Sequence, residues 1–361
     1  MNCMQNWLRR IKYLLLQLYF FIRLPFILAV RMLFKPRGGS NKIDKILLIR
    51  LDRLGDFILS LPVIDNMKLK YPEAKIDILV RPYLSELSGM IKGINKLVVY
   101  KNMFISCIFL RKQRYDLAID LLCDYKLKSA LIAYLCAAPR RVGFKQGSRD
   151  LFFSHPVESK GHKHMVDLTL GLLKPLDIPI RIVIPKIDIA MGHFNKTKAV
   201  VIHPGGYYPS QRWGRDRFSQ LIASLYLRYK CEIIVVGDKS QKRLVDYIVD
   251  KSGVNARPLC LNLKDLVFTI ANCSLFIGNN SGPLHLAASL GIPTISTMGP
   301  TDPVLWWPRG EGHVVIRKDI SCSPCLKASC REQICMDKIE VGELMQAAAK
   351  ILDKSHGISK N

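Results

Sequence analysis

The sequence predicts an α/β protein built on parallel sheets, and three observations carry that expectation. Short apolar runs of strand length alternate with segments of helix length from about residue 45 onward. Three of those runs end in turns bearing Gly, Asp or Ser that open a helix, the kind of corner at which open α/β sheets hold ligands. The 361 residues, 49% hydrophobic and 23% charged, describe a globular chain long enough for two domains with cores of their own. No internal repeat at solenoid or propeller period is present.

Residues 1–40 differ in kind from the rest. They carry Arg9, Arg10, Lys12, Arg23, Arg31, Lys35 and Arg37 with no acid before Asp44, interleaved with apolar runs at 13–22 and 24–30. A bilayer-spanning helix needs about 20 apolar residues, and Arg23 and Pro25 break this stretch near its middle. It reads as a basic amphipathic segment lying in a membrane interface, its cations meeting anionic lipid. The alternative is a helix packed on the following domain. A signal peptide is disfavoured, because Arg23 splits the apolar core and no small-residue cleavage site follows at the right distance.

The first domain is expected over 43–185, with strands near Ile46 to Ile49, Ile76 to Val80, Leu97 to Tyr100 and Leu117 to Leu121. After the first strand, Leu54-Gly55-Asp56 turns into an apolar helix running towards Tyr71-Pro72, which sets Asp56 at a strand's C-terminal edge. Prolines, Gly192 and polar residues interrupt both periodicities between Pro179 and Lys198, and the join falls there.

The second domain is expected over 198–339, with strands near Val200 to Ile202, Glu232 to Val236, Ser274 to Ile277, Thr294 to Thr297 and His313 to Ile316. A C-terminal helix and tail follow over 340–361. Two strand-to-helix turns in this half suit an anion. In Gly278-Asn279-Asn280-Ser281-Gly282-Pro283-Leu284-His285, glycines admit a ligand to the backbone, Ser281 adds a hydroxyl, and Pro283 suits a first helical turn. The helix then offers unpaired N–H groups and the positive end of its dipole. The loop His203-Pro204-Gly205-Gly206 followed by Ser210-Gln211-Arg212-Trp213 supplies Gly, a hydroxyl and a cation ahead of a helix from about Arg217 to Tyr229, a set suited to diphosphate. For His285 and His203, a ligand contact and a structural role both stand, and Asp302 reads equally as a turn residue.

Taken in order, these segments resemble the glycosyltransferase family that contains the ADP-heptose:lipopolysaccharide heptosyltransferases. The likeness runs from about Lys45 to Val341. It is carried by Arg50 through Gly55-Asp56 to Pro62, His203-Pro204-Gly205 through Arg212-Trp213, Gly278 through His285, Gly299-Pro300-Thr301-Asp302-Pro303, and the cysteine-bearing stretch Cys322 to Met336. The resemblance implies the GT-B arrangement, two Rossmann-like domains facing a cleft. It also implies inverting transfer of a sugar, a heptose, from a nucleotide diphosphate such as ADP-heptose to a hydroxyl of lipopolysaccharide core or a similar anionic glycolipid. Such an enzyme would work without a catalytic metal, in the cytoplasm, on the inner face of the cytoplasmic membrane.

In that chemistry the acceptor oxygen attacks one face of the anomeric carbon while the diphosphate leaves from the other. A proton acceptor is needed on one side and preset anion donors on the other. The resemblance gives Asp56 the role of general base; the alternative is that Asp56 merely caps its helix. Arg50 and Arg53 fall on the acceptor side. Gly205, Gly206, Ser210, Arg212, Gln241, Asn280, Ser281, Gly282 and His285 fall on the donor side. Gln211, Asn280 and Gln241 stand where many members carry charged residues, a departure confined to the donor half.

A formal net charge of +25 fits a membrane face or a polyanionic glycolipid. Nucleic acid is excluded as the partner, because the basic residues are spread over both domains and no recognisable binding module is present. The spacing C-x2-C-x4-C-x4-C of Cys322, Cys325, Cys330 and Cys335 is compact enough for four thiolates around a structural zinc, with an iron–sulfur cluster, or free thiols or a redox-labile pair, as the alternatives; the other seven cysteines read as reduced, buried thiols. A rival from another class is a non-catalytic nucleotide- or glycolipid-binding scaffold of envelope assembly on the same fold. An NAD-dependent enzyme is disfavoured, since Arg50-Leu51-Asp52-Arg53-Leu54-Gly55 holds a single glycine where a dinucleotide fingerprint needs three.

Overall fold

Strand pairing divides the protein into two parallel six-stranded sheets. The computed structural model describes residues 20–39, 42–159, 161–187 and 197–355. The first sheet holds β1 (Lys45–Arg50), β2 (Lys75–Val80), β3 (Lys96–Val99), β4 (Leu117–Asp120), β5 (Arg140–Phe144) and β6 (His155–Val157), in the order β3-β2-β1-β4-β5-β6. The second holds β7 (Val200–His203), β8 (Ile233–Gly237), β9 (Arg257–Cys260), β10 (Leu275–Asn279), β11 (Thr294–Thr297) and β12 (His313–Ile316), in the order β12-β11-β10-β7-β8-β9. Both are the doubly wound order in which strand direction of travel reverses once, between β1 and β4 in one lobe and between β7 and β10 in the other.

Nine of these strands fall where the apolar runs place them. β5, β6 and β9 were not among the expected strands, and their composition explains why. β5 opens on two arginines and contains Gly143; β6 and β9 are sheet edges carrying Pro156 and Pro258, where a missing N–H is tolerated. Within β1 the side chains alternate between two cores: Ile46 and Leu48 enter one cluster, Leu47 and Ile49 the other. The helix after β1 is broken, Leu54–Leu59 being followed at Ser60 by Leu61–Lys70.

One apolar cluster runs through both lobes, joining Ile46, Leu54 and Phe57 of the first to Val236, Phe276 and Leu284 of the second. Polar contacts reinforce that junction. Glu86 Oε2 accepts from the amides of Leu263 (2.6 Å) and Lys264 (3.2 Å), placing a carboxylate at the N-terminus of helix Leu263–Ala271. His164 Nε2 lies 2.8 Å from the Trp307 carbonyl, His162 pairs with Asp302 at 2.5 Å, and Arg309 pairs with Asp167.

A helix over 20–33 rests on the first sheet through Ile27, which is buried with Leu47, Ile49 and Leu110. The remainder of the expected membrane segment, residues 1–19 and 40, lies outside the described residues, as do 188–196 of the join and 356–361 of the tail. Among the described residues no helix is long and apolar enough to cross a membrane. The C-terminal helix Val341–Ser355 packs beside helix Arg215–Tyr229, tied by Asp353 to Tyr229 (2.8 Å) and Arg228 (3.2 Å).

Candidate active site

The strand ends at the two switch points supply the candidate residues. At the C-terminal end of β1, Arg50 is 1% exposed and every donor on it is engaged: Nε and Nη2 donate to the Asp56 carbonyl (3.0 and 2.9 Å), and Nη1 to the Leu121 carbonyl (2.5 Å). Its nitrogens therefore face the fold. Arg50 clamps the turn that carries Asp56 to the end of β4, from inside the protein.

Asp56 does not cap its helix. The N-cap is Arg53 and Asp56 lies in the first turn, its carboxylate partly exposed with Oδ1 3.9 Å from Arg50 Nη2. Beside it stands Asp52, which the sequence reading passed over. Its Oδ2 is 3.3 Å from Arg50 Nη1, and its Oδ1 is buried with no hydrogen-bond partner. Burial outweighs the nearby Arg50 guanidinium and, with the charge of Asp56 adding to it, pushes the Asp52 carboxyl up to about 7. Two carboxylates and a cation within seven residues at a strand's C-terminal edge were the available signal. What the sequence does not reveal is that they share one buried guanidinium.

In the second lobe Asn279 organises the loops. Fully buried, its Oδ1 accepts from the Trp213 amide (2.9 Å) and Thr297 Oγ1 (2.8 Å), and its Nδ2 donates to the carbonyls of Pro204 (2.8 Å) and Gly205 (2.9 Å). A single side chain thus ties three loops together, and it too was missed, because an Asn inside a glycine-rich turn reads as a turn former. Ser281 is the N-cap of helix Gly282–Ser289 but its hydroxyl caps no amide; it lies 3.5 Å from His203 Nδ1 and partly exposed. Arg212 is exposed, with Nε given to the Gly206 carbonyl at 2.8 Å.

Other expected donor contacts are used within the fold. Ser210 is buried with its hydroxyl donated to the Lys327 carbonyl at 2.5 Å, so the structure ties it to the C-terminal loop instead of offering it to a ligand. Asn280 is buried and donates to the Trp306 carbonyl at 3.2 Å, bracing the turn before it. Gln241 lies over Gly205, where a Cβ would collide with its amide, and closes a capping box with Asp238. His203, hydrogen-bonded to Gln241, is buried and neutral, burial drawing its pKa down to about 4. His285 is buried too, drawn down to about 3 mainly by desolvation. It packs under the interlobe contact, its Cδ2 the nearest neighbour to a Cβ on Gly55.

Gly282 and Gly55 make that contact. A Cβ on Gly55 would lie 3.1 Å from His285 Cδ2 and 3.5 Å from Gly282 Cα; one on Gly282 would lie 3.0 Å from Leu54 Cβ and 3.2 Å from Gly55 N. The two helices therefore begin side by side, and Asp56 stands one residue from the junction.

With this geometry in hand, the comparisons with known proteins become specific. The family model for glycosyltransferase family 9 (heptosyltransferase) matches residues 109–336. The chain belongs to this family. The glycosyltransferase is 29% identical over 293 residues to lipopolysaccharide heptosyltransferase 3 of Escherichia coli K12, covering 72% of this chain and 84% of that protein. Its fold matches that of E. coli ADP-heptose lipopolysaccharide heptosyltransferase II with a TM-score of 0.73 at 20% identity, over 86% of this chain and 99% of that one. It also matches an E. coli heptosyltransferase with ADP, TM-score 0.71 at 18% identity, over 85% and 99%. The GT-B expectation is met.

Two further features of the glycosyltransferase bear on the site. Arg53 crosses to the second lobe, its guanidinium stacked 3.3 Å from the Tyr207 ring centre with Nη2 donating to Tyr208 Oη at 3.1 Å. The cysteine motif does not assemble as expected. Cys322 and Cys330 are exposed, Cys335 turns into the apolar core of the second lobe, and among the described residues no group of three or more His, Cys, Asp or Glu is placed to hold a metal ion. Nothing in this arrangement supports the expected zinc: Cys335 is drawn inward with Met336 against Gly299, still near enough to Cys325 and Cys322 for their charges to raise its pKa alongside burial. The described cysteines are all free thiols.

Proposed function

We propose that this glycosyltransferase moves a heptose from ADP-heptose to a hydroxyl of a lipopolysaccharide-core or similarly anionic glycolipid, with inversion. One observation carries the proposal: the Gly-Asp corner of the first lobe abuts the Ser281-Gly282 turn of the second, which brings the turn bearing Asp56 beside the start of helix Gly282–Ser289. On this reading residues 43–185 form the acceptor domain, 198–339 the nucleotide-sugar domain and 340–361 a C-terminal helix and tail.

Asp56 takes the proton of the acceptor hydroxyl as its oxygen bonds to the anomeric carbon. The bond from that carbon to the diphosphate oxygen breaks on the opposite face, and its electron pair leaves with ADP. A carboxylate is a weak base, but the hydroxyl becomes acidic only as the new bond forms. Arg50 fixes the turn that aims Asp56. Charge growing on the leaving diphosphate is met by Arg212, the Ser281 hydroxyl and the first amides of helix Gly282–Ser289, which stabilise the transition state more than the bound donor. These groups neutralise the diphosphate without a metal. Gly206 and Arg53 border the same gap, Arg53 on the acceptor side. The basic segment 1–40 holds the enzyme on the inner face of the cytoplasmic membrane, where the glycolipid resides.

The test is a panel of nucleotide sugars with a lipopolysaccharide-core acceptor, scored by mass spectrometry for transfer. Transfer from ADP-heptose by wild type and its loss in Asp56→Asn support the proposal. Failure of any nucleoside diphosphate to bind returns the protein to the scaffold reading.

A further inference from the structure

The helix Met103–Lys112 is apolar on both faces. Ser106, Cys107 and Leu110 turn inward, yet Phe104 (75% exposed), Ile105 (47%), Ile108 (43%) and Phe109 (36%) face outward. A helix that is apolar all round belongs in an apolar environment on every side, and here one side is bare. The neighbouring helix over 20–33 shows the same division. Ile27 is buried in the cluster that also receives Cys107 and Leu110, whereas Phe21 (73%), Phe26 (53%), Met32 (78%) and Leu33 (76%) are exposed. Both helices cover the same side of the first sheet.

The charge around this face has one sign. No acidic residue occurs between Glu86 and Asp116, while Lys92, Lys96, Lys101, Arg111, Lys112 and Arg114 do; residues 1–43 likewise carry no acid. Lys96 places its ammonium 4.9 Å from the ring centre of Phe109, so cation and aromatic share one surface. Residues 1–19 are a poor cover for it, because Arg9, Arg10 and Lys12 repeat the same sign. A protein–protein interface has Lys depleted from its core, whereas here lysine and aromatic residues interleave.

The geometry points to a second membrane element: helix Met103–Lys112 inserts Phe104, Ile105, Ile108 and Phe109 into an anionic bilayer beside helix 20–33, its flanking cations at the headgroups. The enzyme is then held by two helices instead of one segment, which fixes how the acceptor domain sits over its lipid. This rests on the proposed glycolipid acceptor only for the choice of a lipid partner.

The test is co-sedimentation of the full chain with vesicles of equal parts phosphatidylcholine and phosphatidylglycerol, and with phosphatidylcholine alone. Wild type binds the anionic vesicles and loses binding at high salt. Phe104→Asp with Phe109→Asp, which leaves residues 1–40 intact, weakens binding at least tenfold, and Arg111→Ala with Lys112→Ala weakens it severalfold. Thermal melts report folding, and transfer to a delipidated acceptor stays at wild-type rate, which separates failure of this inference from failure of the enzymatic reading. Unchanged vesicle binding in both variants overturns it, as does a variant whose only change is loss of a dimer.

Discussion

Gly55 and Gly282 face each other where the two lobes touch, and a side chain on either would press on the other lobe: an added Cβ on Gly282 would stand 3.0 Å from Leu54 Cβ and 3.2 Å from the Gly55 amide nitrogen. Neither residue has a left-handed backbone, so their value lies in close approach and not in conformational freedom. The carboxylate and the anion seat owe their proximity to this contact. Gly282→Ala is expected to force the lobes apart, lowering transfer at least tenfold and stability by about 1–3 kcal/mol. Transfer rate and a urea melt on the same variant check it.

Asn279 joins three loops through four hydrogen bonds from a fully buried amide. Asn279→Ala leaves buried donors and acceptors unpaired. A loss of about 3 kcal/mol is expected, together with weakened ADP binding as the Gly205 loop and Arg212-Trp213 lose their tether. Calorimetric titration of ADP alongside a thermal melt tests both parts.

Asp52 makes stability depend on pH in a definite direction. Its carboxyl has a model-peptide value of 3.8 and is raised to about 7 in the fold, mainly by burial. Between those values the folded state holds a proton that the unfolded chain releases, so this group's contribution is greatest at low pH and is lost as pH rises to about 7. Asp52→Asn should therefore gain stability relative to wild type as pH goes from 5 to 8. Urea melts across that range measure the difference, and a constant gap would contradict the assignment.

Arg53 against Tyr207 and Tyr208 is a bond between lobes, so it should be felt in opening and closing. A double-mutant cycle of Arg53→Ala with Tyr207→Ala is expected to give a coupling of about 0.5–1 kcal/mol. Coupling near zero would mean that the stacked geometry contributes nothing in solution.

Much of this was legible because parallel strands buried on both faces read as continuous apolar runs, as Leu47 to Ile49 and Leu275 to Ile277 do. Two of the four edge strands were not, since Pro156 and Pro258 belong to strands that need fewer partners, while the edges β3 and β12 carry no proline and were legible. At the site, Asp56, Ser281 and Arg212 lie at the strand-to-helix corners where the sequence put them, partly or fully exposed, whereas Arg50, Ser210 and His285 are buried. A polar residue near a turn looks alike whether it faces ligand or fold; only burial separates Arg50 from Arg53. Regular cysteine spacing likewise says nothing of direction, and Cys335 points into the core.

Asp56 is the group on which transfer depends, and the most direct measurement is the rate at which Asp56→Asn transfers heptose from ADP-heptose, compared with wild type, at matched ADP occupancy. Loss of about 10²–10⁴-fold with unchanged ADP affinity is the expected result. Transfer at the wild-type rate would contradict the claim that this carboxylate receives the acceptor's proton.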